Sequence, residues 1–421
     1  MQTRIRMVRT IVLALMVGSA AQAATITWNA SGSSDADWNT AGNWSPQQVP
    51  TRYDLAVVDN PARAVISNGQ SGDALDLQAA YDSDASVKVD GWASCVQSVL
   101  TVYRTATFGG SPNTNSRSGY LYIDHGAAVT VGGNGYNGRL SLGPTQYSDG
   151  QVTIKGVYLS IPSSLTVNDD TAFYVAETGT GRVYQGNPAA PTESPDVAAN
   201  GGLYIGYNSG AVGTYYLYAG DLSVGHSSDL YVGTSGTGTF QLGTTDCTGT
   251  VSVSGDLVVR GASGGTGTFR GYTKAGESVS IEYDFVNNGK VIADGYGTDH
   301  DLEFTDSGGA PTIGNTIENA TSGTNGWYAQ SHGKLVLAVP TSASGFNWGE
   351  ASADTTIDLV NSIRFSQITG LSGSTAKLGL LALDRSDVPS GPNGYTYRSL
   401  WKVESSPSFT FTTASVTVRY D

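Results

Sequence analysis

Leu203-Tyr204-Ile205-Gly206 recurs as Leu230-Tyr231-Val232-Gly233 and again as Leu257-Val258-Val259, with 27 residues between successive leucines (230 − 203 and 257 − 230). Asp284-Phe285-Val286 continues the series 28 residues further along the chain (285 − 257). A repeat of this length indicates that one small structural unit is stacked many times along an axis. The middle of the chain is therefore predicted to be a solenoid.

Each unit contains two further short runs in which apolar and polar residues alternate, such as 239–243 and 250–253. Alternation with a period of two is typical of strands that bury one face. The runs stop at Gly, Asn, Asp or Ser, and Gly and Asx residues tolerate the positive φ that tight corners need. Three short strands per 27 residues predict one coil of a right-handed parallel β-helix, because a propeller blade needs about 40 residues.

The same alternation extends upstream in runs at 119–123, 128–132, 139–143 and 151–154. It is interrupted between about 185 and 201, where Gly186-Asn187-Pro188 and two further prolines occur. Such a break indicates a loop excursion from the wall of the coil. We therefore expect a parallel β-helix over residues 61–324, with an excursion near 185–201.

Residues 1–24 have the features of a signal peptide. Arg4, Arg6 and Arg9 precede a short apolar run at 11–17, and Ala21-Gln22-Ala23 offers the small side chains that signal peptidase recognises. The apolar run is shorter than the roughly 20 residues that cross a bilayer, and no later stretch approaches that length. We predict export, cleavage near Ala23 or Ala24, and no transmembrane span in the mature protein.

The charge of the chain excludes one class of partner. The sequence has 22 basic and 36 acidic residues, and loss of the three signal arginines leaves 19 against 36, a net charge near −17. A nucleic acid partner requires a basic stripe, and the sequence contains none. Extracellular polysaccharide and the cell envelope remain as candidate partners.

The sequence contains two cysteines, Cys95 and Cys247. An even number of cysteines in an exported protein suggests a disulfide. The separation of 152 residues (247 − 95) corresponds to several coils, however, which would place the sulfur atoms too far apart to bond. Both interpretations remain open at this point.

The two ends of the predicted solenoid differ in composition from its middle. Residues 25–60 contain Trp28, Trp38 and Trp44, which could either cap the exposed edges of the first coil or form a platform for stacking sugars. We favour the cap, because a capping surface needs large apolar side chains.

From residue 325 the runs become longer and predict a small C-terminal antiparallel β-sandwich-like domain over 325–421. Trp327, Trp348 and Trp401 lie in this domain and are the candidate ligand-binding residues, on the hypothesis that it contacts glycans. Such a role requires two or three of these aromatic side chains to share one exposed face.

One acidic segment resembles a calcium-binding repeat. Asp294-Gly295-Tyr296-Gly297-Thr298-Asp299-His300-Asp301 contains a Gly-x-Gly-x-Asp core, so Asp294, Asp299 and Asp301 are candidate ligands for Ca²⁺, the one cofactor that the sequence suggests. The motif occurs once, whereas calcium sites of this kind are completed by neighbouring copies. An acidic surface turn is the alternative interpretation, and we favour it.

No catalytic residue is assigned from the sequence. Solenoid enzymes that cleave polysaccharides cluster carboxylates, or calcium with a basic residue, on adjacent coils. When the 27-residue register is applied, Asp221 and Asp246 do not align. The four histidines, at 125, 226, 300 and 332, do not show the spacing of a metal site.

Three parts of the sequence together resemble a known group of proteins. They are the start, with Asn43-Trp44-Ser45-Pro46, the Gly-x-Leu-x-Ile-Gly pattern of the coils, and the tail, with Phe346-Asn347-Trp348-Gly349-Glu350 and Leu380-Leu381-Ala382-Leu383-Asp384. In these respects the chain is similar to the secreted autotransporter-like β-helix repeat proteins of planctomycete and verrucomicrobial-type bacteria. The resemblance implies a β-helix and a location outside the cell or on the surface of a Gram-negative-type bacterium.

The sequence thus leads to two functional hypotheses. We favour a non-enzymatic extracellular or cell-surface protein with a structural or adhesive role that includes contact with glycans. The alternative is a polysaccharide lyase, a glycoside hydrolase or a carbohydrate-binding module on a β-helix scaffold. A groove that combines several carboxylates with a basic residue on adjacent coils would favour the alternative.

Overall fold

The computed structural model of the chain is an all-β parallel solenoid. It describes residues 23–32, 34–91, 96–110, 116–133, 135–158, 160–190, 192–244, 247–260, 265–272, 278–282, 285–287, 289–294, 301–306, 317–319, 327–330, 334–339, 346–347, 362–369, 376–382, 401–405 and 413–419. Beyond residue 282 the backbone alone is described, except at Gly289 and Val291. The segment 1–22, which contains most of the predicted signal peptide, lies outside the described residues.

The first part of the solenoid contains nine strands and one short 3-10 helix, at Ala41–Asn43. The strands are β1 Thr25–Trp28, β2 Ala36–Asp37, β3 Trp44–Ser45, β4 Leu55–Val58, β5 Ala64–Ser67, β6 Ser71–Ala79, β7 Ala85–Asp90, β8 Val99–Phe108 and β9 Arg117–Asp124. No helix in the described part of the chain is long and apolar enough to cross a membrane.

The middle part contains shorter strands in a regular succession. They are β10 Ala128–Val131, β11 Gly138–Leu142, β12 Ser148–Ile154, β13 Val157–Tyr158, β14 Ile161–Pro162, β15 Ser164–Val167, β16 Thr171–Val175, β17 Thr180–Gln185, β18 Asp196–Ala199, β19 Leu203–Ile205, β20 Val212–Leu217, β21 Gly220–Val224, β22 Leu230–Val232, β23 Thr237–Leu242, β24 Gly249–Val253, β25 Leu257–Val259 and β26 Thr266–Tyr272.

The last part continues the succession and then changes direction. Its strands are β27 Ser278–Ile281, β28 Phe285–Asn287, β29 Lys290–Asp294, β30 Asp301–Asp306, β31 Ile317–Asn319, β32 Trp327–Gln330, β33 Lys334–Val339, β34 Phe346–Asn347, β35 Ser362–Thr369, β36 Ala376–Ala382, β37 Trp401–Ser405 and β38 Thr413–Arg419.

Parallel pairing arranges these strands into three faces. Face 1 consists of β10, β15, β18, β21, β24, β27, β30 and β33, and face 2 consists of β11, β16, β19, β22, β25, β28 and β31. Face 3 is an 11-stranded sheet of β2, β5, β7, β9, β12, β17, β20, β23, β26, β29 and β32. The long strand β8 spans two faces, because its residues 99–102 pair with β10 and its residues 105–108 pair with β11.

The 27-residue repeat is confirmed by the pairing. Leu203, Leu230 and Leu257 are direct partners in β19, β22 and β25, and Phe285 is the next partner in the row. The alternation is confirmed too, since strands such as β19 and β22 bury every second side chain. The three-strand coil therefore follows from the sequence pattern.

The interior is formed by stacked rows of apolar side chains. In one row Tyr215 stacks on Phe240 with ring centroids 5.3 Å apart, and Phe240 stacks on Phe269 at 4.9 Å. The hydroxyl of the buried Tyr215 donates to Oε1 of Gln185 at 2.7 Å, and Gln185 Nε2 donates to the carbonyl oxygens of Pro195 and Asp221. The polar groups of these two buried side chains are thus paired, as burial requires.

The corner between faces 2 and 3 is built on small residues. One column in face 3 holds a glycine in six successive strands: Gly119, Gly150, Gly181, Gly213, Gly238 and Gly267. Five of these glycines pack against a residue that ends face 2 with a φ value between 57° and 78°, namely Gly109, Gly143, Ala176, Gly206 or Gly233, and Gly267 packs against the backbone of Arg260. The chain can turn sharply there because no Cβ atom separates the two backbones.

The first coil is closed by the tryptophan-rich segment. β3 pairs antiparallel with β1, whose other edge pairs with β4, so the outer edge of β1 is not free. Trp28, Trp38 and Trp44 are buried, and their rings meet edge to face at 4.7 Å. Their burial leaves no exposed ring face on which a sugar could stack.

The predicted loop excursion corresponds to the long connection between β17 and β18. This corner has ten residues, 186–195, whereas the equivalent corner between β20 and β21 has two, 218–219. Cys247 lies beneath it, buried, with Sγ 3.5 Å from the carbonyl oxygen of Pro188. Cys247 is a free thiol in the structure, and Cys95 lies outside the described residues.

Parallel pairing extends past residue 324, because β32 pairs with β29 and β33 pairs with β30. The other edge of β33 pairs antiparallel with β36, which pairs with β37, and β34, β35 and β38 form a separate antiparallel sheet. Antiparallel strands thus occur at the end of the chain, as expected. Their packing into a sandwich stays a prediction.

Replacing Gly150 with alanine tests the corner directly. A Cβ atom there would lie 2.5 Å from the Phe108 carbonyl oxygen and 2.6 Å from the Gly143 nitrogen. Since both neighbours are backbone atoms of packed strands, we expect Gly150→Ala to lower the free energy of unfolding by about 3 kcal/mol. Gly42→Ala is the control, because nothing lies within 4 Å of its Cβ position. Equal midpoints of chemical denaturation for the two variants would contradict the proposed packing.

Candidate functional site

The predicted ligand-binding tryptophans do not form a described cluster. Trp327 begins β32 in face 3, and Trp401 begins β37, which extends the larger sheet. Trp348 lies outside the described residues. The two described positions therefore belong to different sheets, and a shared aromatic face stays a prediction.

The predicted calcium ligands are described in part. Asp294 is the last residue of β29 and Asp301 is the first residue of β30, while Asp299 lies outside the described residues. Among the side chains that are described elsewhere in the chain, no group of three or more His, Cys, Asp or Glu residues could hold a metal ion. A calcium site at this segment thus stays a prediction.

The most conspicuous feature of the outer surface is a row of tyrosines on face 2. Tyr174, Tyr204 and Tyr231 are direct partners on three successive strands and point away from the core. The ring centroids of Tyr174 and Tyr204 are 5.3 Å apart at an interplanar angle of 27°, and those of Tyr204 and Tyr231 are 5.3 Å apart at 6°. We call these three residues the tyrosine ladder.

The faces of the ladder rings are occupied by neighbours in the same chain. Tyr204 has a ring on each side, and the guanidinium of Arg260 lies over Tyr231 at 5.6 Å from its centroid. Tyr207 packs obliquely against Tyr174 at 4.7 Å. A sugar ring stacks on an open aromatic face, so the ladder offers solvent its ring edges and hydroxyl groups instead.

The ladder phenols hold their protons strongly. Burial raises the pKa of Tyr231 to about 12, and the charge of Asp229 together with its hydrogen bond from the Tyr231 hydroxyl adds to the effect. Burial, followed by Tyr207 and Tyr204, raises the pKa of Tyr174 to about 12. The ladder is therefore an uncharged surface at neutral pH.

A second tyrosine group lies on face 3. Tyr184 stacks on Tyr216 with centroids 5.0 Å apart at 8°, and Tyr218 packs against both rings. Burial raises the pKa of Tyr184 as well. Stacked outer tyrosines therefore occur on two faces of the solenoid.

Several outer carboxylates are bonded to the neighbouring coil. Asp149 accepts hydrogen bonds from Arg182 at 2.9 Å, and Glu177 accepts one from Arg139 at 2.7 Å. Asp76 forms an ion pair with Arg104 one coil away. Because these contacts join adjacent coils, they serve the stacking of the solenoid.

A charged cluster lies at the corner between faces 3 and 1. Asp90 and Asp124 are direct partners, and Nδ1 of His125 lies 2.9 Å from Asp90 Oδ1 and 3.5 Å from Asp124 Oδ1. Lys88 forms an ion pair with the second oxygen of Asp90. His125 has a φ of 51°, a conformation in which His, Asn and Asp are enriched among the residues other than glycine. The imidazole thus lies between the two carboxylates, while the ammonium pairs with Asp90.

Two carboxylates also meet in register on the outer side of face 1. Asp196 and Asp221 are direct partners, and the hydroxyl of Thr250 donates to Asp221 Oδ1. Burial and the charge of Asp221 raise the pKa of Asp196. This pair is the described feature that comes closest to the paired carboxylates of glycoside hydrolases.

Neither acidic pair could be predicted from the repeat in the sequence, for one physical reason. Asp196 and Asp221 are 25 residues apart (221 − 196), and Asp90 and Asp124 are 34 apart (124 − 90), so neither pair fits a constant 27-residue register. Corners of different lengths change the coil length while the strands stay aligned. Both β7 and β9 alternate apolar and polar residues, and they end in Val-Asp and Ile-Asp. This shared ending was the sequence signal that could have aligned Asp90 with Asp124.

Comparison with protein-family models, curated proteins and solved structures gives no match to this chain.

Ionisation of the ladder phenols makes the stability of the fold depend on pH in the alkaline range. In the unfolded chain a phenol loses its proton near pH 10, whereas Tyr174 and Tyr231 lose theirs at about 12 when folded. The raised pKa values therefore stabilise the folded chain fully below about pH 10, and this stabilisation is lost as the pH rises towards about 12. We expect the melting temperature to fall across this interval.

The double variant Tyr174→Phe, Tyr231→Phe provides the control, because phenylalanine preserves the stacking and cannot ionise. Its melting temperature should depend less steeply on pH between about 10 and 12 than that of the natural chain. Identical slopes for the two proteins would show that these phenols do not titrate abnormally.

Proposed function

We propose that this protein is a non-enzymatic extracellular β-solenoid with a structural or adhesive role at the cell surface or in the surrounding matrix. The observation on which the proposal rests is the tyrosine ladder, whose ring faces are engaged by Tyr204, by Tyr207 and by Arg260. Aromatic residues that bind a sugar leave a ring face open. A ladder whose ring faces are covered in this way stabilises the stacking of the coils.

The outer ion pairs support the same proposal. Arg139–Glu177, Arg182–Asp149 and Arg104–Asp76 each join one coil to the next. Catalytic carboxylates must be available to a substrate, whereas these are bonded to arginine within the chain. In a solenoid each coil contacts its neighbours alone, so bonds of this kind add up along the whole rod.

The proposed location rests on residues 1–24, which have the charge and hydropathy pattern of a signal peptide. The resemblance to secreted autotransporter-like β-helix proteins supports export from a Gram-negative-type bacterium. Extracellular polysaccharide or the cell envelope is the proposed partner. A right-handed coil and a C-terminal sandwich that contacts glycans through Trp327, Trp348 and Trp401 belong to the same proposal. For the segment with Asp294, Asp299 and Asp301 we propose an acidic surface turn, with a Ca²⁺ site as the alternative.

Export can be tested by expressing the full chain in a Gram-negative host. We expect the protein outside the cytoplasm with a new N-terminus at residue 24 or 25, because Ala21 and Ala23 fit the peptidase pocket. Replacing both alanines with arginine should block cleavage and retain the precursor, as seen by N-terminal sequencing and cell fractionation. An uncleaved natural chain in the cytoplasm would contradict the proposed location.

A second candidate function is polysaccharide cleavage, and the Asp196–Asp221 pair favours it. A pair of adjacent carboxyl groups, one of which keeps its proton more strongly, is the arrangement that glycoside hydrolases use as acid and nucleophile or base. Burial and the Asp221 charge raise the pKa of Asp196, so Asp196 is the member of the pair that would keep its proton. The hydrogen bond from Thr250 to Asp221 joins the pair to the next coil, which fits a structural role equally well.

The two candidate functions differ in whether the protein cleaves a polysaccharide. We expect the purified mature chain to release neither reducing ends nor unsaturated products from a panel of neutral polysaccharides and polyuronates. The same assays on Asp196→Asn and on the control Asp169→Asn, which alters an exposed turn residue, complete the test. Turnover by the natural chain that is lost in Asp196→Asn and retained in Asp169→Asn would overturn the structural proposal.

A further inference from the structure

The tyrosine ladder contains one pair of rings with an adjacent proton acceptor. Tyr204 and Tyr231 are nearly parallel, at 6°, with centroids 5.3 Å apart. The hydroxyl of Tyr231 donates to Asp229 Oδ2 at 3.0 Å, and the other oxygen of Asp229 accepts the backbone N–H of Asp256 at 2.8 Å. The carboxylate is therefore fixed in place beside the phenol.

This arrangement meets the requirements of phenol oxidation. A tyrosine that loses an electron must also lose its proton, and burial together with Asp229 raises the pKa of Tyr231 to about 12. The phenol is therefore protonated at neutral pH and needs a base that accepts the proton as the electron leaves. Asp229 is already hydrogen-bonded to that proton, so no rearrangement is needed to receive it.

The two rings are also held where two radicals could combine. Both side chains are half-buried on the outer side of face 2, so a small oxidant in solution can reach their edges. Strand pairing fixes Tyr204 directly against Tyr231, and neighbouring reactive groups held in this way react as an intramolecular pair. Coupling needs the two rings to turn about their Cβ–Cγ bonds and to approach one another from their centroid separation of 5.3 Å.

We propose that Tyr204 and Tyr231 form a site of oxidative cross-linking, in which a one-electron oxidant converts the pair to dityrosine and Asp229 accepts the phenolic proton of Tyr231. Each phenol loses one electron and one proton. The two phenoxyl radicals then form a carbon–carbon bond between ring positions ortho to oxygen, and the two hydrogens at those positions move to the oxygens. The net loss is two electrons and two protons, which reduce one molecule of a peroxide to two molecules of water or alcohol.

A second stack in the same chain provides an internal comparison. Tyr184 and Tyr216 are as close and as parallel, at 5.0 Å and 8°, but no described carboxylate accepts a hydrogen bond from either hydroxyl. Stacking is thus common to both pairs, whereas the fixed proton acceptor is found beside Tyr231. The Tyr204–Tyr231 pair should therefore react first.

The chemistry of the site does not depend on where the protein is located. Its use by a cell does rest on the proposed extracellular function, because peroxide-driven oxidants act on exported proteins. A bond between Tyr204 and Tyr231 would join two successive coils covalently, in a chain whose two cysteines are 152 residues apart (247 − 95). The modification would thus strengthen the rod that the proposed function requires.

The experiment uses the purified mature chain and tris(bipyridine)ruthenium with persulfate, a small photogenerated one-electron oxidant. Dityrosine fluorescence measures the rate, and mass spectrometry locates the bond. A protease that cuts before aspartate separates the two tyrosines, because Asp221 and Asp229 lie between them. We expect a linked pair of peptides that has lost two hydrogens and joins Tyr204 to Tyr231, in a product that migrates as a monomer.

Three variants test which side chains take part in the cross-linking. Tyr231→Phe should abolish this linked pair, while Tyr184→Phe should leave it unchanged. Asp229→Asn keeps an oxygen for the Asp256 N–H but removes the base, and it should slow cross-linking about tenfold, the factor that one charge-assisted hydrogen bond supports. The melting temperature of each unoxidised variant establishes that it is folded before the rates are compared.

Two results would overturn the proposal. One is a natural chain in which dityrosine forms between molecules at exposed residues such as Tyr53 or Tyr147, without a Tyr204–Tyr231 link. The other is an Asp229→Asn variant that is folded and cross-links at the natural rate, which would remove the carboxylate from the mechanism. Neither result bears on export or on polysaccharide turnover, so a failure here is distinct from a failure of the proposed function.

Discussion

Close contact between two backbones at one corner of the coil is the constraint on which the remainder of the structure depends. Six glycines in register on face 3 pack against the backbone at the end of face 2, and for five of them the neighbouring residue there has a positive φ. A side chain at Gly150 would overlap with the backbone at Phe108 and Gly143. Since six successive strands of face 3 repeat this contact, each of these coils is placed directly over the preceding one.

Regular stacking of coils has a consequence for the surface. Residues at equivalent positions form rows on the outside as they do in the core, so Tyr174, Tyr204 and Tyr231 become a stack. The same alignment brings Asp90 beside Asp124 and Asp196 beside Asp221, and like charges in register are unfavourable unless they are bridged. In the first pair His125 lies between the two carboxylates and Lys88 forms an ion pair with Asp90. The outer surface is thus used largely to hold coils together, which is why a structural role fits it better than a catalytic one.

Much of the fold could be predicted from the sequence, because the core requires it. The leucines at 203, 230 and 257 must stack for the interior to be apolar, and their constant spacing made the coil recognisable. The surface contacts were harder to predict, because they depend on corner lengths that vary from two residues at 218–219 to ten at 186–195. The acidic pairs and the Tyr231–Asp229 contact therefore required the register of the folded chain, and the candidate sites at Asp299 and Trp348 lie outside the described residues.

Hydrogen–deuterium exchange of backbone amides tests the corner constraint most directly. If stacking at the glycine column holds the coils together, the amides of β12, β17, β20 and β23 should be among the slowest to exchange in the chain. Gly150→Ala should accelerate exchange in β12 and in its partners β9 and β17 more than in β23, which lies further along the rod. Uniformly fast exchange in these strands, or an equal effect of the substitution throughout the solenoid, would contradict the account.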